Sequence, residues 1–463
     1  MILVLHRYTS LRGLLLMLTE SILILLGLLA AARLRFWNDP VALGAYVDSS
    51  SFLLQSLTVL VVIQICFYYN DLYDLSERIS RGEEVVRLGQ ALGAACIILG
   101  ILYVLFPGLL VGRGVLVIAV SLILAGVAAT RFGLERVWQL TVPKSRVAVV
   151  GHGALATAVM EAMEHRSDLG FELAGSVTTT ASQGDAKHRK LGTIDDLAGI
   201  VSKNDISRIV VALEDSRGAL PIRDLVRLRV QGVEIEDAHT ALAALTGRVW
   251  LEAVRPSWFV FSDGFRRPFL VTMTKRAIDL AASVVGLVLT APIMALVAIA
   301  IKLDSKGPVL YKQTRVGLGD RTFELLKFRS MRTDAETESG AQWAQESDPR
   351  ATRVGRILRK YRLDELPQFI NVLRGDMSLV GPRPERPIFV RQLRERIPFY
   401  DERHSARPGV TGWAQVEYKY GSTIEDAYRK LEYDLFYLKN MSILFDVMII
   451  ARTVGIVLFG SGR

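Results

Sequence analysis

Cysteine and histidine are scarce in this chain of 463 residues, with two and six copies. Cys66 and Cys96 both lie in apolar stretches, which excludes a disulfide scaffold and a thiolate zinc site. The histidines show no HExxH-like spacing, so a histidine zinc centre is not expected either. Residues 144–250 contain no tyrosine, which removes the Tyr/Lys pair needed for hydride-linked sugar chemistry there. Internal repeats and low-complexity tracts are also missing.

What is abundant is apolar sequence. Hydrophobic residues make up 51% of the chain and mean hydropathy is +0.30, which implies membrane segments joined to soluble domains. Four runs open the chain, Leu11–Ala32, Phe52–Tyr69, Leu88–Pro107 and Val115–Thr130. Each approaches the ~20 residues that a helix needs to cross a bilayer. The first is not read as a signal peptide, because no small-residue cleavage site leads into a soluble domain. With the N-terminus inside, the inner flanks carry Arg7, Arg12, Arg78, Arg81, Arg87, Arg131, Arg136, Lys144 and Arg146. The outer loops carry only Arg33, Arg35 and Arg113. That asymmetry predicts a multi-pass membrane protein whose soluble domains are cytoplasmic.

Strand-like runs at Ser145–Val150, Glu172–Val177, Ile206–Leu213 and Gly232–Glu236 alternate with helical segments, predicting a Rossmann-like α/β domain over 144–250. Gly151-His-Gly-Ala-Leu-Ala156 looks like a dinucleotide fingerprint. The acid expected at the end of the second strand is missing, since 176–182 holds no Asp or Glu. A structural, regulatory or oligomerising role is therefore favoured over NAD chemistry. An aromatic, turn-rich linker is expected over 251–272.

A fifth apolar segment, 275–302, decides the topology. Lys275 and Arg276 precede it and Lys302 and Lys306 follow it, so both ends prefer the same membrane face. Pro292 removes a helical hydrogen bond mid-segment, and a bend or break is expected there. The prediction is a re-entrant helix anchored by Lys275, Arg276 and Asp279. A Pro-kinked spanning helix is the alternative.

From Lys302 onward there are 28 Lys/Arg against 21 Asp/Glu, a surplus that should seek phosphate. Arg350, Arg353, Arg356, Arg359, Lys360 and Arg362 lead into Asp364-Glu365. Separately, these are a solvated or lipid-docking stripe and a helix-terminal charge pair. Together, a carboxylate pair beside clustered cations suits phosphoryl transfer, with cations and a metal neutralising oxygens while one carboxylate attacks or activates the attacker. Leu326-Lys-Phe-Arg-Ser-Met331 adds Lys327 and Arg329. Gly381-Pro-Arg-Pro384 presents Arg383 from a rigid turn, and Arg403–Gln415 contributes Arg407.

These motifs, in this order from Met273 to the end, resemble the catalytic domain of bacterial monotopic phosphoglycosyl transferases. The apolar front end and the Rossmann-like middle resemble the large form of that family, the polyisoprenyl-phosphate hexose-1-phosphate transferases. The resemblance implies membrane α plus α/β architecture: four transmembrane helices in 1–132, the 144–250 domain, and a catalytic domain over 273–463 with its re-entrant helix. It implies transfer of sugar 1-phosphate from a UDP-sugar to undecaprenyl phosphate, releasing UMP, as the first step of exopolysaccharide, capsule or O-antigen assembly. Asp364 is implied as the nucleophile of a covalent intermediate, and Glu365, with Asp364, as the Mg²⁺ site. Lys327, Arg359 and Arg383 match family cations around the phosphates. Arg329, Arg407 and Lys419, from the same motifs, complete the expected phosphate-binding set.

Expected partners are the two substrates, membrane lipid and a second copy of the chain, with no nucleic acid. Two departures stand out. The family's helix break is usually Ser-Pro where this chain has Ala291-Pro292, and Asn-Gly-Arg is replaced by Glu417-Tyr-Lys419. The competing readings are a membrane-anchored nucleotide sensor without transferase activity and a membrane-bound NAD-dependent sugar-nucleotide dehydratase. The missing Tyr/Lys pair and ribose acid weigh against the second.

Overall fold

The computed structural model describes residues 11–70, 72–73, 81–109, 111–141, 145–166, 169–178, 188–213, 221–252, 254, 259, 264–265, 269–333, 335, 349–418, 421 and 423–459. The chain divides into two compact units, 2–241 and 242–463.

The first unit opens with apolar helices α1 (Leu11–Arg35), α2 (Pro40–Val47), α3 (Ser50–Tyr69), α4 (Arg81–Leu105) and α5 (Arg113–Thr141). All but the short α2 are long and apolar enough to cross a membrane. Ile24, Leu28, Ile63, Phe67, Leu88, Leu99 and Ile123 build one shared core. Leu18, Leu53, Ile97 and Val117 are exposed on outward faces. Helices that are apolar all round need an apolar surrounding as well as a core.

The rest of this unit is mixed α/β. Strands β1 (Ser145–Gly151), β2 (Phe171–Thr178), β3 (Lys190–Thr193), β4 (Arg208–Ala212) and β5 (Glu234–Asp237) form a parallel sheet in the order β3-β2-β1-β4-β5. Between them run α6 (Ala154–His165), α7 (Leu197–Asn204) and α8 (Ile222–Val230). Val147–Val150 are fully buried, because a parallel strand covered on both faces is apolar throughout. Sequence pattern misses β3, whose Lys-Leu-Gly-Thr carries no apolar run and lies at the sheet edge. Gly151 has φ +137°, and a Cβ there would lie 2.1 Å from the Ala212 carbonyl oxygen. Glycine is thus required by the close β1–β4 approach, independently of any ligand.

The α9 helix (Ala238–Thr246) leads into the second unit. Residues 247–250, which the sequence reading assigns to the Rossmann-like domain, and 251, the first of its linker, pack inside this second unit. The Val249 amide donates to the Glu432 carbonyl at 3.1 Å. The aromatic linker positions Trp258 and Phe261 lie outside the described residues.

Next comes α10 (Phe269–Asp304), 36 residues or about 54 Å at 1.5 Å per residue. It is the fifth helix apolar enough to cross a membrane. Of the bend or break that the sequence reading expects at Pro292, the break is not formed, since helical structure continues through it. Proline forfeits only its own hydrogen bond, and the flanking turns keep theirs.

Both ends of α10 bond to the same unit. At its start, Lys275 Nζ donates to the Val380 carbonyl (3.0 Å) and to Asp446 (2.6 Å). Arg276 caps the Val372 and Leu373 carbonyls, and Asp279 accepts from the Leu379 amide at 3.0 Å. At its end, Asp304 accepts from the Val354 amide at 3.1 Å. Val297 and Ile301 are buried there against Phe328 and Leu358.

The remaining elements are β6 (Leu310–Val316), β7 (Thr322–Phe328), α11 (Arg353–Lys360), α12 (Gln368–Arg374), β8 (Ser378–Val380), α13 (Pro387–Arg396), β9 (Gly409–Thr411), α14 (Trp413–Glu417), α15 (Ile424–Lys439) and α16 (Ile443–Phe459). β6 and β7 form an antiparallel hairpin, and β8 pairs in parallel with β9.

Candidate active site

The Asp-Glu pair sits on a one-turn 3₁₀ helix, Leu363–Glu365, between α11 and α12. Arg362 enters it in the left-handed region, φ 56°. That conformation is costly for a residue with a Cβ and persists where surrounding packing imposes it. Leu363 and Leu366 supply the packing, against Val297 and Ile301 of α10.

The opposing cation comes from β7. Asn371, fully buried on α12, accepts from the Leu326 amide at 2.9 Å and donates to the Glu324 carbonyl at 2.7 Å. The amide side chain thus imitates a neighbouring strand and sets β7 against the 3₁₀ turn. Lys327, the next residue, lies 3.0 Å from Glu365 Oε1. Arg383 arrives from the turn after β8. This turn rests on the loop after β9 so closely that a Cβ on Gly412 would lie 2.1 Å from the Gly381 carbonyl oxygen. Arg383 donates through Nη2 to Glu365 Oε1 and through Nη1 to Gln415 Oε1, both at 2.8 Å. Arg362 pairs with the same Glu365 oxygen at 3.8 Å.

The two adjacent carboxylates therefore differ sharply. Burial disfavours the Glu365 charge, but Arg383 and Lys327 outweigh it and hold the group far below the ordinary carboxylate range. Asp364 is only 8% exposed and receives no hydrogen bond from the described residues. Burial pushes it up, with Glu365 adding to the rise, and Lys327, Arg383 and Arg362 only partly offset this. Both Asp364 oxygens and Glu365 Oε2 remain without a described hydrogen-bond donor. Oxygen donors of this kind fit a hard cation such as Mg²⁺, which binds through one or two carboxylates while keeping water and phosphate ligands.

Asp364, Glu365, Lys327, Arg359, Arg383 and Gln415 line a cleft of about 1080 Å³. The other cations expected at phosphate stand differently. Arg329 borders the cleft, yet its guanidinium bonds to the Ser305 and Lys306 carbonyls, closing the end of α10. Arg407 donates to the Gly375 carbonyl at 3.1 Å, beside Arg276 at the C-terminus of α12. There both cations meet the negative end of the helix. Lys419 lies outside the described residues.

Sequence reasoning names Arg362 only as part of a basic run and misses Asp434 altogether. Asp434 is buried on α15 and accepts from Arg403 Nη2 at 2.8 Å. Arg403 in turn donates to the Arg383 carbonyl at 3.0 Å, so the pair supports the Arg383 turn from beneath. Two acids in Leu-Glu-Tyr-Asp-Leu offer no signal of this.

Elsewhere Asp320, Asp401 and His404 bring possible metal-ligand atoms within 4.8 Å of one another. Arg394 already donates to both carboxylates, at 3.1 and 2.6 Å, which fills the place of a cation.

Comparison with known proteins places the sequence among relatives. The bacterial sugar transferase family matches residues 270–460, and a CoA-binding domain family matches 69–236. An Aeromonas hydrophila UDP-N-acetylgalactosamine-undecaprenyl-phosphate N-acetylgalactosaminephosphotransferase is 44% identical over 52% of this chain and 56% of its own length. The chain thus spans little more than half of that relative. The Escherichia coli K12 UDP-glucose:undecaprenyl-phosphate glucose-1-phosphate transferase is 34% identical over 67% of both chains. A Caulobacter vibrioides protein of the same name is 47% identical over 40% of this chain and 69% of its own. The motifs gathered around the cleft and these relatives lead to one conclusion: the chain belongs to the bacterial sugar transferase family.

Proposed function

We propose that this protein transfers a sugar 1-phosphate from a UDP-sugar to undecaprenyl phosphate, through a phospho-sugar ester on Asp364. The observation that carries this reading is the division of labour between the two carboxylates. Glu365 gathers Lys327, Arg383 and Arg362. Asp364, one residue away, is buried at the cleft wall with no hydrogen bond from described residues to blunt it. A carboxylate attacking phosphorus must be desolvated, unpaired and close to cations that accept the charge on the phosphate oxygens.

In the first half-reaction an Asp364 oxygen bonds to the sugar-bearing phosphorus, and the bond from that phosphorus to the bridging oxygen breaks. UMP leaves with the electron pair. In the second, an oxygen of undecaprenyl phosphate attacks the same phosphorus and Asp364 departs as carboxylate. Lys327, Arg359 and Arg383 line the same cleft, which supports them as the partners of the diphosphate oxygens. Mg²⁺, held through Glu365 Oε2 and Asp364, would add charge neutralisation on those oxygens.

The membrane disposition belongs to the same proposal. The contacts of Lys275, Arg276 and Asp279 at one end of α10, and of Asp304 at the other, join both ends to one polar unit. This supports a helix that enters and leaves the cytoplasmic leaflet on a single face. The apolar helices α1, α3, α4 and α5 would span the inner membrane. The strand order β3-β2-β1-β4-β5 supports a Rossmann-like reading of the sheet.

The test is incubation of detergent-solubilised protein with a UDP-sugar panel and Mg²⁺ but no lipid acceptor. UMP release and a hexose-phosphate mass adduct on the peptide holding Asp364 are expected. Turnover without an adduct would refute the covalent route, and failure of every donor would refute the transfer itself.

A further inference from the structure

Residues Gly247–Leu251 precede the matched sugar transferase region and form a strap on the catalytic unit. Glu432, fully buried on α15, holds it: Oε1 accepts from the Leu251 amide at 3.2 Å, and Oε2 lies 3.1 Å from Arg248 Nη1. At the other end, the Gly247 carbonyl accepts from Trp413 Nε1 at 2.9 Å. Trp413 is itself fully buried against Phe445, with ring centroids 5.1 Å apart. A buried indole N–H needs a partner, and here the strap's backbone is that partner.

Trp413 is the first residue of α14, and Gln415 follows within the same turn. Gln415 Oε1 accepts from Arg383 Nη1, while its Nε2 is buried without a hydrogen-bond partner among the described residues. Guanidinium offers donors only, so the amide must turn its oxygen toward Arg383 even though its nitrogen is left unsatisfied. Because the guanidinium is planar, fixing Nη1 also fixes the direction of Nη2, which sits on Glu365.

We infer that the strap is a positioning element for the transfer reaction. Gly247 seats Trp413, Trp413 seats α14, and Gln415 holds Arg383 in the plane that pairs with Glu365. The inference rests on the transfer reading above. Gln415 and Trp413 act through Arg383, so they are positioning residues and not catalytic ones. A strap that merely covered apolar surface would have no need of a hydrogen bond into the helix carrying Gln415.

The test uses full-length protein in detergent, with the donor accepted in the panel, undecaprenyl phosphate and a UMP-release assay. Gln415→Leu should lower kcat about ten- to hundredfold, the scale of a small misplacement in an active site. Trp413→Phe keeps an aromatic ring and deletes the N–H, and should lower kcat about three- to tenfold, the scale of one hydrogen bond. Arg248→Gln, at the half-exposed rim of the strap, is a milder variant that should move the same way. In each, the loss should largely disappear in an Arg383→Lys background, because the strap acts through the planar guanidinium that lysine lacks.

Unchanged kcat, or a loss of full size in the Arg383→Lys background, overturns the strap's role. If the unsubstituted chain is active and Asp364→Asn is not, that result leaves the transfer reading standing. No UMP release from the unsubstituted chain overturns the transfer reading itself.

Discussion

Two buried arginine–carboxylate clusters, one in each unit, are built to opposite ends. Among the apolar helices, Glu20 is fully buried, with Arg131 Nε on one oxygen at 2.7 Å and the Tyr73 hydroxyl on the other at 2.6 Å. Arg131 also reaches the Leu72 carbonyl and Glu84, and Tyr73 lies 2.6 Å from Gln64. Every carboxylate oxygen of Glu20 is spoken for. In the cleft, Lys327, Arg383 and Arg362 crowd one oxygen of Glu365, while its other oxygen and both of Asp364 accept nothing from described residues. A network that only holds helices together satisfies its acceptors, because unpaired buried charge is expensive. A site keeps acceptors open for what it binds.

The largest expected effect breaks the cleft side of that contrast. Asp364→Asn should lower UMP release by about a thousandfold or more, the usual scale for losing a nucleophile, with the fold unchanged by circular dichroism. Next comes the helix network. Arg131→Met leaves Glu20 buried without its cation, and should destabilise the protein by about 3–5 kcal/mol in detergent thermal unfolding. Adding Glu20→Gln should recover much of that loss. The smallest effect separates electrostatics from packing. Lys327→Met removes a cation that lowers the Asp364 pKa, so ionisation needs higher pH and the acid limb of kcat/KM should move up. Glu365→Gln removes a like charge that raises it, so in whatever activity remains that limb should move down. Identical displacements in the two variants would contradict the charge assignment.

Much of the site is legible in sequence because its residues are short-range neighbours in recognisable motifs. Asp364-Glu365, Lys327 and Arg383 each stand in a local pattern whose chemistry can be named, and the fold brings them together. Arg329 and Arg407 belong to the same motifs, yet their guanidinium groups serve backbone carbonyls at helix ends. Charge pattern alone cannot distinguish a cation aimed at phosphate from one capping a helix, because both need only a guanidinium near negative partial charge. Edge strand β3 escapes for a related reason, since four mixed residues carry no periodicity.

Local composition by itself determined the apolar helices, the α/β alternation and the pairing of acids with clustered cations. These follow from hydrophobic spacing and charge along a few dozen neighbouring residues. Only the tertiary structure decided that Gly247–Leu251 lies with the catalytic unit, that Asp434 braces Arg403 and that Gln415 orients Arg383. Those partners are separated by 31 to 181 residues along the chain. Contacts at such separations are set by packing of the whole unit and leave no periodic trace in sequence.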